Sequence, residues 1–242
     1  MTRDQVGAVD PHDAAARRAV IGDSLGVGIA TGLYGVSFGA VAVASGLSVA
    51  QTCVLSLLMF TGASQFALVG VVGAGGAPFA GTATALLLGA RNTLYGLRMA
   101  PLLGWRGGRR AAAAHVLIDE STAMALDRPT RELTRLGFLT TGVSVLVLWN
   151  LFTLLGALAG TTLGDPRDYG LDAAVGAAFL ALLWPRLREP GNARIALLAA
   201  ALALAVVPFT PAGLPVLLAG SVAVLIGILI GGGHARPSEV QP

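Results

Sequence analysis

Hydrophobic positions run almost unbroken through four stretches of the chain. No Asp, Glu, Lys or Arg occurs in Ser24–Ala90, Leu136–Gly164, Ala173–Pro185 or Ile195–Ala235, and the first of these runs is 67 residues long. A helix that crosses about 30 Å of hydrocarbon needs roughly 20 mostly apolar residues, so the pattern predicts membrane spans. Six are plain, at 20–45, 52–73, 136–160, 171–187, 194–208 and 214–231, separated by turn-forming stretches such as Ser45-Gly46-Leu47-Ser48. Two more are interrupted. Residues 78–104 carry Arg91, Asn92, Arg98 and Pro101, and residues 111–126 carry His115, Asp119 and Glu120.

The charges that remain set an expected topology. Arg17 and Arg18, then Arg128, Arg131 and Arg135, then Arg186, Arg188 and Arg194, and finally Arg236 fall on one side if the spans alternate. By the positive-inside rule that side is cytoplasmic, and so is the N-terminus. An even number of the interrupted segments then crosses: both, giving eight helices, or neither, giving six with two re-entrant or interfacial pieces. Residues 1–18 read as a polar cytoplasmic tail, 19–231 as the transmembrane domain and 232–242 as a second tail. Arg17-Arg18 and the later Ala42-Val43-Ala44 imitate a secretion signal, but the apolar run between them is too long for one. The first helix is therefore expected to be retained.

Composition narrows the class. Of 242 residues, 55% are hydrophobic and 12% charged, about half the charge of a soluble domain. The class is an all-α polytopic membrane protein of six to eight transmembrane helices, which excludes a nucleic-acid binder, a soluble enzyme and a disordered chain. The net charge of +3 comes from sixteen arginines, most of them flanking spans, so it speaks of topology and not of nucleic acid. Cys53 is the single cysteine, and His12, His115 and His234 lie far apart, which offers no zinc set or other cofactor site. Gly73-Ala74-Gly75-Gly76 lacks the Gly-Lys-Ser/Thr that would make it an ATP-binding loop. No Ser-His-Asp or His-Glu-x-x-His pattern suggests an enzyme.

Thirty-three glycines include i, i+4 pairs at Gly22/Gly26, Gly28/Gly32, Gly35/Gly39, Gly156/Gly160 and Gly227/Gly231, which suit close helix packing in lipid. A short echo links Gly39-Ala-Val-Ala42 and Leu47-Ser-Val-Ala50 to Gly156-Ala-Leu-Ala159 and Leu171-Asp-Ala-Ala174. Two structural repeats with broken helices would produce such an echo.

Chemistry is expected where the apolar pattern is broken. Ionisable groups inside a membrane are costly, which marks Arg91, Arg98, Asp119 and Glu120 as candidates. Arg91 and Arg98 are seven residues apart, close to two helical turns, so they share a face. A salt bridge from the acidic pair to either arginine would offset part of the burial cost. The second candidate is Thr61-Gly62-Ala63-Ser64-Gln65, where Gly62 loosens the backbone and Ser64 and Gln65 add polar groups in one turn. This turn is either a break in the helix or a set of interhelical hydrogen bonds.

These residues resemble the AzlC family of branched-chain amino acid permease subunits. The resemblance rests on Gly35-Val-Ser-Phe-Gly39, Ser45-Gly-Leu-Ser48, Phe60-Thr-Gly-Ala-Ser-Gln-Phe66, Arg91-Asn-Thr-Leu-Tyr-Gly96 and Asp119-Glu-Ser121, then Trp149, Thr153-Leu-Leu-Gly-Ala157, Gly170-Leu-Asp172 and Phe179. One departure is the order Arg91-Asn92, where the family usually places its basic residue after an asparagine. The resemblance implies export of valine, leucine or isoleucine across a bacterial cytoplasmic membrane with a small AzlD-type membrane subunit. It also implies a proton-driven secondary carrier. On that reading the substrate carboxylate meets Gly62–Gln65 or Arg91, with Asn92 alongside, and Asp119 or Glu120 holds the ammonium group or carries the coupling proton.

Overall fold

The computed structural model describes residues 11–163, 180, 184, 187–188 and 190–231. Among these, every regular element is a helix: α1 (Pro11–Ala44), α2 (Val49–Leu58), α3 (Ala63–Gly73), α4 (Pro78–Leu103), α5 (Gly107–His115), α6 (Asp119–Ala125), α7 (Arg131–Leu163), α8 (Pro190–Val206) with a 3-10 turn (Val207–Phe209), and α9 (Leu214–Gly231). Among the described residues, three segments are long and apolar enough to cross a membrane by length and composition: Ala14–Ala44, Arg131–Thr162 and Gly191–Phe209. The protein is an all-α membrane protein. The first helix begins at Pro11, inside the segment read as a polar tail. The tail at 232–242 and nearly all of the span expected at 171–187 lie outside the described residues.

The α1–α7 pair is the frame. The two helices run parallel, because contacts advance together along both. The positions of Gly28, Gly32, Gly35 and Gly39 face Ser144, Leu148, Trp149/Thr153 and Thr153/Ala157 in turn. At Gly35 a Cβ would sit 2.6 Å from the Trp149 carbonyl oxygen, and at Gly32 it would sit 2.5 Å from Leu148 Cβ. Gly156 and Gly160 are pressed in the same way against Val36 and Ala40. The echo between 39–42 and 156–159 therefore falls on one seam, where glycines from both helices admit the opposite backbone. Its second half, at 171–174, lies outside the described residues. An ion pair between Arg17 and Glu132 closes one end of the seam. The two helices thus start on the same face, as the arginine pattern expected.

The route between them differs from the expectation. Residues 52–73 do not form one span. The chain breaks between Leu58 and Ala63, and α3 returns to the face on which α2 began: Gly73, its last residue, packs against Ser45 at the end of α1. The physical reason is Gly62, whose φ of 55° reverses the chain at a point where other residues would be strained. Residues 111–126 likewise form no span. The chain breaks at Val116–Ile118, and both ends of the α5–α6 hairpin lie near the start of α7, with Gly137 against the Met124 carbonyl and Trp105 against Phe138. The interrupted segments therefore do not share one fate. Residues 78–103 form a single helix of 26 residues, about 39 Å at 1.5 Å per residue. It runs antiparallel to α3, with Gly81 facing Leu68 and Gly89 facing Ser64, and it ends beside α7.

The result is one long helix followed by a re-entrant hairpin, twice, in opposite directions. α1 with α2–α3 enters from one face, and α4 with α5–α6 enters from the other. The hairpin tips meet in the interior, where the Phe60 and His115 rings lie 6.1 Å apart and Ile118 joins the Phe60–Phe66–Trp149 core.

The seam yields a direct test. Gly35→Ala should lower the melting temperature of the detergent-solubilised protein, since overpacking costs about 1–3 kcal/mol. Gly22→Ala, where a Cβ meets nothing within 4 Å, should leave it unchanged or raise it. Equal effects at the two positions would contradict the seam.

Candidate functional site

Each hairpin tip is held by one polar side chain placed three residues after the residue that caps its second helix. In the first, Gln65 Oε1 accepts from the Gly62 amide at 3.2 Å, while Gln65 Nε2 donates to the Leu55 carbonyl at 3.4 Å. In the second, Ser121 Oγ accepts from the Ile118 amide at 3.0 Å and donates to the Val116 carbonyl at 2.7 Å. Both side chains are fully buried. Each one ties the end of an incoming half-helix to the start of the outgoing one, satisfying backbone groups that lipid would leave bare. Ser121 was invisible as a site residue in the sequence, where it reads as a small residue beside two acids.

The middle of α4 passes between the tips. On one side, Ser64 Oγ lies 3.4 Å from where a Cβ on Gly89 would stand. Two residues on, Arg91 Nη2 donates to Asp119 Oδ2 at 2.9 Å. Glu120, next in sequence, lies between the Arg91–Asp119 pair and Thr31 of α1. The structure therefore brings together Gly62, Ser64, Gln65, Arg91, Asn92, Asp119 and Glu120 from three separated stretches.

Arg98 is not among them. Seven residues place it on nearly the same face, but also about 10 Å further along α4 toward the Arg17 face. There it is exposed, with no ion pair among the described residues.

Several polar atoms around the tips are buried without a partner: Thr61 Oγ1, Ser64 Oγ, Asn92 Oδ1, Asp119 Oδ1 and Trp149 Nε1. A buried polar group left unpaired costs about 1–3 kcal/mol, and these five are among eleven such atoms in the described residues, the rest lying on α1, α2, α6 and α7. The first amides of α3, at Ala63, Ser64 and Gln65, precede its first intrahelical bond, from Phe66 to Gly62. They add positive potential to that of Arg91. The aromatic wall of Tyr34, Phe38, Phe66 and Trp149, with ring centroids 5.3–6.3 Å apart, lies behind the first tip.

Comparison with known proteins fits this architecture. The AzlC protein family matches residues 26–163, from α1 through α7 and over both hairpins. The chain belongs to the AzlC family. That places it in a family of membrane transport proteins. An uncharacterized membrane protein of Archaeoglobus fulgidus is 33% identical over 171 residues, 70% of this chain and 74% of its own length. An uncharacterized membrane protein of Helicobacter pylori strain J99 is 26% identical over 176 residues, 71% and 76% of the two chains. No solved structure matches. The family match ends with α7, so the frame and both tips lie within it, whereas α8 and α9 lie beyond it.

The ion pair between α4 and α6 can be tested without any substrate. Arg91→Gln and Asp119→Asn should each destabilise this AzlC-family chain by leaving a charge unpaired, and the double variant should recover part of the loss. The coupling read from thermal melts should fall at about 0.5–3 kcal/mol. Strict additivity would show that the two side chains do not interact.

Proposed function

We propose that the chain is the large subunit of a secondary exporter of branched-chain amino acids, driven by protons and working with a small AzlD-type membrane subunit. The observation that carries this reading is the set of buried, unpartnered polar atoms at the meeting point of the two hairpins, flanked by charges of both signs. A zwitterion needs both. Its carboxylate is suited by Arg91 and the free amides at the start of α3. Its ammonium group is suited by Asp119, Glu120 and the carbonyls left open where α2 ends. Intramembrane carboxylates commonly carry coupling protons, and Glu120, beside the Arg91–Asp119 pair but outside it, is placed to exchange one when the substrate displaces Asp119 from Arg91. Two hairpins that enter from opposite faces also suit alternating access, since each separates the site from one side only. The arginine-rich face is then cytoplasmic, with the N-terminus on it, in a bacterial inner membrane.

The test is counterflow and pH-driven flux in proteoliposomes containing the chain and its small subunit. Leucine, valine and isoleucine should be exchanged, and a pH gradient should drive their net movement. Glu120→Gln should abolish the effect of the gradient while leaving exchange measurable, and Arg91→Gln should abolish both. Flux of a different solute with no leucine exchange would overturn the substrate assignment. An unchanged pH response in both Glu120→Gln and Asp119→Asn would overturn the proton route.

A further inference from the structure

Beside the polar meeting point lies a cavity of about 700 Å³ between α3, α4 and the segment that joins α8 to α9. It extends from Phe66 and Leu88, level with the first hairpin tip, to Ala74 and Ala212 at the face opposite Arg17. Its walls are apolar apart from Thr84 and Thr210. Their hydroxyls are taken up by carbonyls of their own segments, Thr84 to Ala80 at 2.8 Å and Thr210 to Val206 at 2.9 Å. Both hydroxyl protons are thus spent within their own segments, and the side chains of the cavity offer a ligand no free donor. At its inner end the character changes within one turn. Ser64 precedes Phe66 by two residues, Gly89 follows Leu88, and Arg91 lies just beyond. Polar anchor and apolar chamber are continuous along one seam, that of α3 and α4.

We propose that this cavity receives the aliphatic side chain of the transported amino acid, and that Gly70 sets how large a side chain it admits. The inference rests on the amino acid reading given above and locates the part of the site that reads size. The volume is in the range of small-molecule sites, about 300–1,000 Å³, and suits a whole amino acid with its side chain directed toward the outer end. Gly70 lines the cavity, and a Cβ built there meets nothing within 4 Å. A larger residue at that position therefore projects into the chamber without displacing a neighbour. The backbone of Gly70 is ordinary helix, so such a variant carries no conformational strain.

Two measurements test it. In the first, Gly70→Leu and wild type are compared in counterflow of alanine, valine and leucine. Removing room for one or more methylenes shifts preference by about tenfold or more, so leucine exchange should fall by that factor relative to alanine. An equal fall for all three, or none, would overturn the size-reading role. In the second, Gly70→Cys in a Cys53→Ser background is alkylated by a maleimide with and without each amino acid. Leucine should slow the reaction several-fold, valine less and alanine least, and Arg91→Gln should remove the protection. Wild-type leucine exchange without protection at residue 70 would overturn this inference and leave the transport reading standing. A cysteine at 70 that never reacts would show the cavity occupied by lipid chains and would also overturn it. The absence of both leucine exchange and protection would overturn the two together.

Discussion

A backbone that ends a helix inside a membrane must find partners for the amides and carbonyls it frees, because lipid supplies none. The whole architecture depends on how this chain meets that demand at two places. Gln65 and Ser121 occupy the same position relative to their turns and make the same pair of bonds, one to the amide that starts a helix and one to a carbonyl near the end of the previous helix. With those bonds in place, each segment, 49–73 and 107–125, enters and leaves by the same face. Without them each segment would be driven to continue as a helix or to leave the apolar interior.

The consequence is a strict division of labour among the helices. The α1–α7 seam contributes no charge in its central part; it is a packing surface, made close by glycines on both sides. α4 passes both tips and supplies the ion pair between them, with its glycines and Arg91 used in turn. Gly81 and Gly89 let it approach α3, Arg91 reaches α6, and Gly96 lies against Leu117. The last turn of α4 is held by α7, where Arg135 donates to the Leu103 carbonyl at 2.8 and 2.6 Å and Arg131 reaches that of Pro101 at 3.3 Å. These cationic side chains serve a helix C-terminus, whose carbonyls and dipole favour them. Several arginines of the face that sequence reading assigned to topology therefore also have a structural use.

The class of the protein was legible in the sequence because it follows from hydrophobicity alone. The candidate residues were few because the interruptions of an apolar pattern are few, and the structure places Gly62, Ser64, Gln65, Arg91, Asn92, Asp119 and Glu120 near one another. Arg98 lies apart from them because sharing a helix face says nothing about depth along the helix. The path of the chain was harder to read. A span and a re-entrant hairpin of equal length share composition, and the 52–73 segment differs from a true span only by one turn around Gly62. Its alternative reading as a helix break was the correct one, but the break also reverses the chain, which periodicity cannot report. The hairpin at 107–125 was open between a span and a re-entrant piece for a different reason. Its first helix begins among Arg106, Arg109 and Arg110 and its second is only seven residues long, so the apolar stretch between them is too short to decide between the two.

Opposed hairpins are the central claim, and sidedness tests them most directly. Single cysteines at Ala50, Ala77, Arg106 and Pro129, each in a Cys53→Ser background, can be labelled with a membrane-impermeant maleimide from either side of intact and inverted vesicles. Residues 50 and 77 lie on one face if α2–α3 is re-entrant and on opposite faces if it is a span, and the difference is visible as the side that reacts. The account predicts that 50 and 77 label from one face and that 106 and 129 label together from the other. Labelling of 50 and 77 from opposite faces would make residues 49–73 a span and would contradict the architecture from which the site is derived.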